Sequence, residues 1–316
     1  ASISGVTFRN GLSTGPGGGI ACVGGTLTLY DVQFNNNTSS AQGGGIYNTS
    51  GSLTIYGAAF RLNASTSGGG IWNTGALDVT FSEFDGNKAK SGKGGGIYTE
   101  GPMTFNFGEL TGNQASSSGG AIYTKAQVLA DQIRLIDNVA SSGGGGIFID
   151  DGGSLFMGQS TLSGNSAGTV GDGGGIAVVG IQAQVTASTI SGNFARNGGG
   201  VANFGTLYVI NSTISANNAG GDGGGIENSG TANVSNATIV FNQADTDSNL
   251  SGSGGGFDNT AGHTFDLRNS VVAGNQLYSL QVDDDCSGAF NSYGRNKYWV
   301  AGGGDRPRSS ITSSAA

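Results

Sequence analysis

The chain has 316 residues, of which 63 are glycine, and its formal net charge is −8, from 13 Lys and Arg against 21 Asp and Glu. Only 3 prolines and no G-X-Y period accompany the glycines, which excludes collagen, and 36% hydrophobic residues exclude wholesale disorder. One His and 2 Cys cannot form a Cys/His zinc site, and no apolar run is long enough for a membrane helix. We therefore expect no cofactor, no membrane insertion by this chain and, from its acidic balance, no nucleic-acid partner.

A repeat of about 25 residues organises the chain. Ten times, two glycines and a further Gly or Ala precede an apolar residue, at Ile20, Ile46, Ile71, Ile97, Ile122, Ile147, Ile176, Val201, Ile226 and Phe257. An Asn follows each of them 16 to 18 residues later, at Asn37, Asn63, Asn87, Asn113, Asn138, Asn165, Asn193, Asn217, Asn242 and Asn275. The distance from each Asn to the next glycines varies, which predicts a loop in that segment.

Within each repeat, three short strands are predicted. Residues ten and eight positions before each Asn are apolar with a mostly polar residue between them, as in Leu27 and Leu29, the pattern of a strand with one buried face. A further apolar residue lies three positions before the Asn, as at Phe34 and Phe60, and a third strand follows the glycines. No helical period occurs.

Three strands in about 25 residues fit one coil of a parallel β-helix, in which each strand pairs with its counterpart in the next coil. We predict an all-β, single-stranded, right-handed parallel β-helix of ten to eleven coils over residues 1–285, with a first partial coil at 1–16 and ten repeats at 17–275. Residues 286–300 are predicted to cap it, and 301–316 have the composition of a linker. The Asn column predicts a ladder of stacked side-chain amides.

The stretches GGGIYNTSGSLTIYGAAFRLN and GGGVANFGTLYVINSTISAN carry a resemblance. Their combination of GGGI with FxxN or IxxN resembles the repeats of chlamydial polymorphic outer-membrane proteins and of large secreted β-helix proteins of other bacteria. The resemblance covers roughly residues 3–275 and implies a β-helix of pectate-lyase-like architecture, surface exposure and adhesion. No catalytic motif accompanies these repeats.

An aromatic column follows the apolar residue of five consecutive repeats, at Tyr47, Trp72, Tyr98, Tyr123 and Phe148. Because the preceding residue faces inward, we expect these five to face outward and to form an exposed stacking surface for glycans or a protein partner. The alternative is that the rings only stabilise the stack by packing on one another.

Three charged residues, Glu83, Glu109 and Arg134, lie four positions before the Asn in consecutive repeats. Two carboxylates one strand spacing apart approach the geometry of a retaining glycosidase, and mutual repulsion would separate their pKa values. The alternative is that they are ordinary surface charges. This column is the best candidate for the second function considered, a polysaccharide-active lyase, hydrolase or epimerase.

Two other columns are polar. Glu100, Lys125 and Asp150 occupy one position of adjacent repeats and predict a salt-bridge ladder.

Asp172, Asn197 and Asp222 lie four residues before the apolar residue of their repeats. Stacked oxygens of this kind could bind Ca²⁺, although Asp and Asn in turns more often bond their own backbone.

The two cysteines belong to opposite ends of the predicted helix, Cys22 to the first full coil and Cys286 to the segment after the last. A bond between them within one chain is therefore not expected. Either both are reduced, or they join molecules stacked head to tail through their open strand edges, which would make a filament or sheath.

The function that we expect is that of an extracellular or cell-surface solenoid of bacterial type, structural or adhesive, with a glycan, a cell-surface protein or further copies of itself as partner. The chain begins in strand-like sequence, as a mature or excised fragment would.

Overall fold

The computed structural model describes residues 1–298 and 311–312. Over this part of the chain the protein has no helix and consists of short strands arranged in four sheets that run the length of a solenoid. Strands are named below by their residues, and the sheets are numbered in the order in which the chain first enters them. The predicted linker-like tail, 301–316, lies outside the described residues except for 311–312.

Sheets 1 and 2 come from the apolar stretches before each Asn. The strands of sheet 1 are Ser2–Ser4, Thr26–Tyr30, Ser52–Tyr56, Ala76–Thr80, Met103–Asn106, Gln127–Asp131, Ser154–Gly158, Gln182–Thr186, Thr206–Ile210, Thr231–Ser235, Thr264–Arg268, Phe290–Tyr293 and Ile311–Thr312. Those of sheet 2 are Thr7–Arg9, Gln33–Asn35, Ala59–Arg61, Glu83–Asp85, Glu109–Thr111, Arg134–Ile136, Thr161–Ser163, Thr189–Ser191, Thr213–Ser215, Thr238–Val240, Val271–Ala273 and Lys297–Tyr298.

Sheet 4 follows the glycines and consists of Ile20–Val23, Ile46–Thr49, Ile71–Asn73, Ile97–Thr99, Ile122–Thr124, Ile147–Ile149, Ile176–Val178, Val201–Asn203, Ile226–Asn228, Phe257–Asn259 and Cys286–Ser287.

Sheet 3 is a fourth strand position that the sequence did not predict. Its first part contains Leu12–Ser13, Thr38–Ser39, Ala64–Ser65, Lys88–Ala89, Gln114–Ala115 and Val139–Ala140, and its second part Phe194–Ala195, Asn218–Ala219, Gln243–Ala244, Gln276–Leu277 and Val282–Asp283. Apart from Leu12–Ser13 and Val282–Asp283, these strands directly follow the Asn, in the segment expected to be a loop. Two residues are too few to show an alternating pattern, so no periodicity marked them.

The predicted register is confirmed in sheets 1, 2 and 4. In sheet 2, for example, Phe60 pairs with Phe34 on one side and with Phe84 on the other, in parallel. These three rings have no solvent exposure and stack with centroids 4.7 and 4.5 Å apart. The apolar columns therefore form one continuous core inside the solenoid, which fixes every outward side chain at coil spacing.

The glycine turn between sheets 3 and 4 is a close approach of backbones. At the middle glycine of the motif, a Cβ atom would lie 2.2–2.6 Å from the carbonyl oxygen of the next coil, as at Gly120 beside Gly145. Only glycine fits there, and this explains why the motif recurs.

The Asn column forms the predicted ladder. Asn138 is typical: its Oδ1 accepts from the backbone N–H (3.0 Å) and Nδ2 (2.9 Å) of Asn113. Its own Nδ2 donates to Oδ1 of Asn165 (2.9 Å) and to the carbonyl of Leu110 (2.8 Å). All ten Asn are buried, and the same pattern links each to the next. Asp285 ends the row, because its Oδ1 accepts both bonds from Asn275.

A second buried ladder lies in sheet 4 and was missed from sequence. Asn48 donates to Asn73, and farther along Asn203 donates to Asn228 and Asn228 to Asn259, each at 2.6 Å. The signal was an Asn two residues after the apolar residue of these repeats. This second ladder is interrupted where Ile149 and Val178 occupy the position of the Asn. Because of the interruption, the sequence did not show a continuous Asn column here.

Candidate functional site

The predicted aromatic column forms a stack on the outside of sheet 4. Successive ring centroids from Tyr47 to Phe148 are 4.7, 5.9, 4.9 and 5.7 Å apart, and neighbouring ring planes differ by 6–15°. At these distances each inner ring has both faces against its neighbours. The expectation that all five are exposed is wrong: Tyr98 is 9% exposed and Tyr123 is fully buried, whereas Tyr47, Trp72 and Phe148 are half-buried.

Lys93 lies against the middle of the stack. It belongs to the segment before the glycines, and its Nζ is 4.3 Å from the centroid of the Tyr123 ring and donates to the Tyr123 hydroxyl at 2.7 Å. The Tyr123 hydroxyl donates to Asp150, and that of Tyr98 donates to Glu100 at 2.6 Å. The stacked rings and the charged column thus form one network.

This network holds its phenols protonated. Burial, together with the bonds to Asp150 and Glu100, raises the pKa of Tyr123 and of Tyr98 well above the ordinary value. The bond from Tyr98 lowers the pKa of Glu100. Lys125 also bonds Glu100, at 3.3 Å, so the predicted salt-bridge ladder is present between these two, while Asp150 pairs instead with Lys93 at 3.5 Å. Both tyrosines are therefore donors here and not general bases.

The carboxylate column of sheet 2 is brought together as predicted, since Glu83 pairs with Glu109 and Glu109 with Arg134 across adjacent strands. Each carboxylate, however, has its own arginine: Glu83 bonds Arg61 and Glu109 bonds Arg134, both at 2.9 Å. Sequence reasoning missed Arg61, which lies two residues farther along the neighbouring strand. The arrangement is that of two surface ion pairs, open to solvent.

The three residues of the predicted calcium column are engaged in separate hydrogen bonds and an ion pair. Arg196 holds both oxygens of Asp172, at 3.0 and 2.7 Å. Asn197 accepts from the backbone N–H of Asp222 at 3.0 Å, and Asp222 accepts from Ser253 at 3.0 Å. Among the residues the structure describes, no three His, Cys, Asp or Glu side chains converge in the manner of a metal site. Calcium binding stays a prediction.

Buried carboxylates of the last coils are the site feature that sequence reasoning did not identify. Glu227 is 7% exposed; its Oε1 accepts from Ser229 at 2.5 Å, and its Oε2 has no hydrogen-bond partner among the described residues. Burial raises its pKa to about 7, and Asp172 and Asp258 add to the rise. Burial likewise raises the pKa of Asp285 to about 6. Glu227 continues the column of Tyr47 and Trp72, so its position was visible in the sequence but its burial was not.

We expect the stability of the last coils to depend on pH through Glu227. Because its pKa rises from 4.5 in the unfolded chain to about 7 in the folded one, the folded state binds the proton more tightly. This stabilisation, about 3 kcal/mol, is complete below pH 4.5 and is lost as the pH rises through 7. The melting temperature should therefore fall across that range, less steeply in Glu227→Gln. Glu83→Gln, at an exposed carboxylate, is the control; identical slopes in wild type and Glu227→Gln would contradict the assignment.

The cysteines lie at opposite ends of sheet 4, in its first and last strands, and both are half-buried. Ten strand steps of about 4.8 Å separate them, far beyond disulfide reach. The expectation of no bond between them within one chain is thus confirmed, and assembly through them stays a prediction.

A family model, the Chlamydia polymorphic membrane protein (Chlamydia_PMP) repeat, matches three stretches of the chain, residues 31–49, 81–100 and 109–125. No curated protein and no solved structure matches the chain. Within the described residues, no helix is both long and apolar enough to span a membrane. The repeat match and the solenoid fit a surface repeat protein, and the family points to an outer-membrane or surface location.

Proposed function

We propose that the protein is an extracellular adhesive rod that presents columns of side chains to glycans or proteins on another surface. The observation that supports this most directly is the alignment of outward aromatic and charged side chains at coil spacing, over a core whose buried amides are bonded to one another. Such a rod offers the same chemistry at successive coils, so weak contacts add along its length.

Adhesion can be measured with beads coated with the protein and applied to an epithelial cell monolayer. We expect attachment severalfold above that of albumin-coated beads and competition by the soluble protein. Attachment equal to that of albumin would remove the adhesive function.

Trp72 is proposed as one contact of this surface, because it is half-buried and lies in the aromatic stack next to Tyr47, the ring at the end of the stack. We expect Trp72→Ala to lower bead attachment about threefold, the loss of one aromatic contact. Phe204→Ala is the matched control, since Phe204 is 43% exposed and lies several coils away. If both variants attach as the wild type does, the stack serves only the packing of the coils.

A further inference from the structure

A second row of aromatic side chains lies on the outside of the solenoid, at the corner between sheets 1 and 2. Tyr30, Tyr56, Phe81 and Phe107 belong to four consecutive coils and are 45, 45, 50 and 43% exposed. Their ring centroids are 6.4, 5.3 and 4.9 Å apart in turn, so the rings touch. We name these four residues the corner strip. It is far more open than the stack on sheet 4.

The backbone at Phe81 and Phe107 is unusual for so large a side chain. Both have a left-handed φ, of 51° and 54°. The same corner in the other coils is occupied by residues that are small or polar, namely Gly5, Asp31, Gly57, Gln132, Gln159, Ala187, Asn211, Asn236 and Asn269. A phenylalanine is strained in this conformation and gains little from burial when half of it is in water. Two adjacent coils depart from the local preference, which is a mark of a functional surface.

Ring orientation distinguishes the corner strip from the buried stack. Phe81 and Phe107 lie nearly parallel, at 17°, so the faces of Phe81 point along the solenoid axis. The Tyr56 ring is turned 74° from that of Phe81, an edge-to-face contact. Tyr30 is tilted 49° from Tyr56. Unlike the parallel stack on sheet 4, this arrangement leaves the faces of Tyr56 without a parallel ring neighbour.

The border of the corner strip is acidic. Asp31 follows Tyr30, Asp78 lies beside Thr54 on the strand next to that of Tyr56, and Asp131 takes the Tyr30 position three coils after Tyr56. None of the ion pairs found among the described residues includes these three carboxylates. Their charge repels an acidic ligand, and their oxygens accept hydrogen bonds from hydroxyl or amino groups.

We infer that the corner strip binds an extended glycan that carries no negative charge, with sugar rings on Tyr30 and Tyr56 and sugar hydroxyls or amino groups on the bordering carboxylates. The inference rests on the proposed adhesive function and names its partner. Pyranose rings pack on aromatic faces, and the spacing of the coils is close to the length of one sugar unit along an extended chain. A run of successive sugars thus meets a run of successive coils.

Isothermal titration calorimetry with three hexasaccharides tests the inference: N-acetylglucosamine, glucosamine and galacturonate hexamers. We expect the first two to bind and the galacturonate hexamer to bind at least about tenfold more weakly. Tyr56→Thr, and Phe81→Asn combined with Phe107→Asn, should each weaken binding about tenfold. These replacements are residues that the same columns already hold, Thr80 for Tyr56 and Asn211 for the phenylalanines, so folding is preserved.

Phe241→Asn is the matched control, because Phe241 is also left-handed, with φ 59°, and is 68% exposed at a distant coil. It should bind as the wild type does. The inference is overturned if galacturonate binds as tightly as the other two, if neither of those binds, if the corner variants bind normally, or if a lysine hexapeptide binds the corner strip while the glycans do not. If the beads still attach in any of these cases, the proposed adhesive function stands and only the glycan partner is refuted.

Discussion

Gly120→Ala is expected to unfold the central coils, because the new Cβ atom would lie 2.2 Å from the carbonyl oxygen of Gly145 and 2.7 Å from the backbone nitrogen of Val139. Both neighbours are backbone atoms, Val139 in a strand of sheet 3 and Gly145 in the glycine turn of the next coil, so neither can move aside as a flexible side chain would. We expect a loss of about 3 kcal/mol or more in the free energy of unfolding, measured by denaturant titration with circular dichroism.

Gly220→Ala is the control for this prediction. A Cβ atom at Gly220 would have its nearest neighbour 3.7 Å away, an ordinary contact, and the glycine has no left-handed φ. We expect a change within about 0.5 kcal/mol. Equal unfolding midpoints for Gly120→Ala and Gly220→Ala would show that the glycine turn tolerates a side chain and would refute the packing argument.

Asn138→Ala should cause the second large effect. The substitution removes the acceptor for two buried donors of Asn113 and the donor for the carbonyl of Leu110. Buried groups left without partners cost about 1–3 kcal/mol each, so we expect a loss of roughly 3–5 kcal/mol. In a solenoid each coil contacts only its neighbours, and the damage should be local. Hydrogen exchange should therefore show lost amide protection in the coils of Asn113, Asn138 and Asn165 first.

Asn218→Ala is the corresponding control, at a half-buried Asn on the outside of sheet 3. It should leave both the midpoint and the exchange pattern unchanged. Loss of protection spread evenly over all coils of Asn138→Ala would contradict the local picture.

The fold could be predicted from the sequence because the repeat imposes the same environment ten times. A single Phe or Leu three residues before an Asn indicates little. An apolar residue at this position in every repeat, from Phe34 to Val272, identifies a buried column and fixes the register of the strands. Asn37 to Asn275 were identified as a ladder on the same ground. The two-residue strands of sheet 3, such as Ala64–Ser65, were not predicted, because so short a segment shows no alternation of buried and exposed residues.

The candidate site was less predictable, because outward side chains interact with segments whose length varies. Tyr123 was expected to be exposed, but neighbouring rings cover both of its faces and Lys93, in the turn before the glycines, contacts its hydroxyl. Arg61 pairs with Glu83 diagonally between coils, so matching positions alone did not show it. Phe81 and Phe107 lie outside the apolar columns counted back from each Asn, at a position that small or polar residues occupy in the other coils.

The Asn ladder has a direction, and its last member reflects this. Every side-chain amide of the row donates one N–H to the next Asn toward the C-terminal coils, accepts from the preceding Asn, and donates its other N–H back to a carbonyl of the preceding coil. A row of this kind needs a final group that only accepts, ideally an anion, and the carboxylate of Asp285 satisfies both conditions where another amide would carry a surplus N–H. The ladder is thus a directed row of hydrogen bonds beside the apolar core, and Asp285 is the acceptor that ends it.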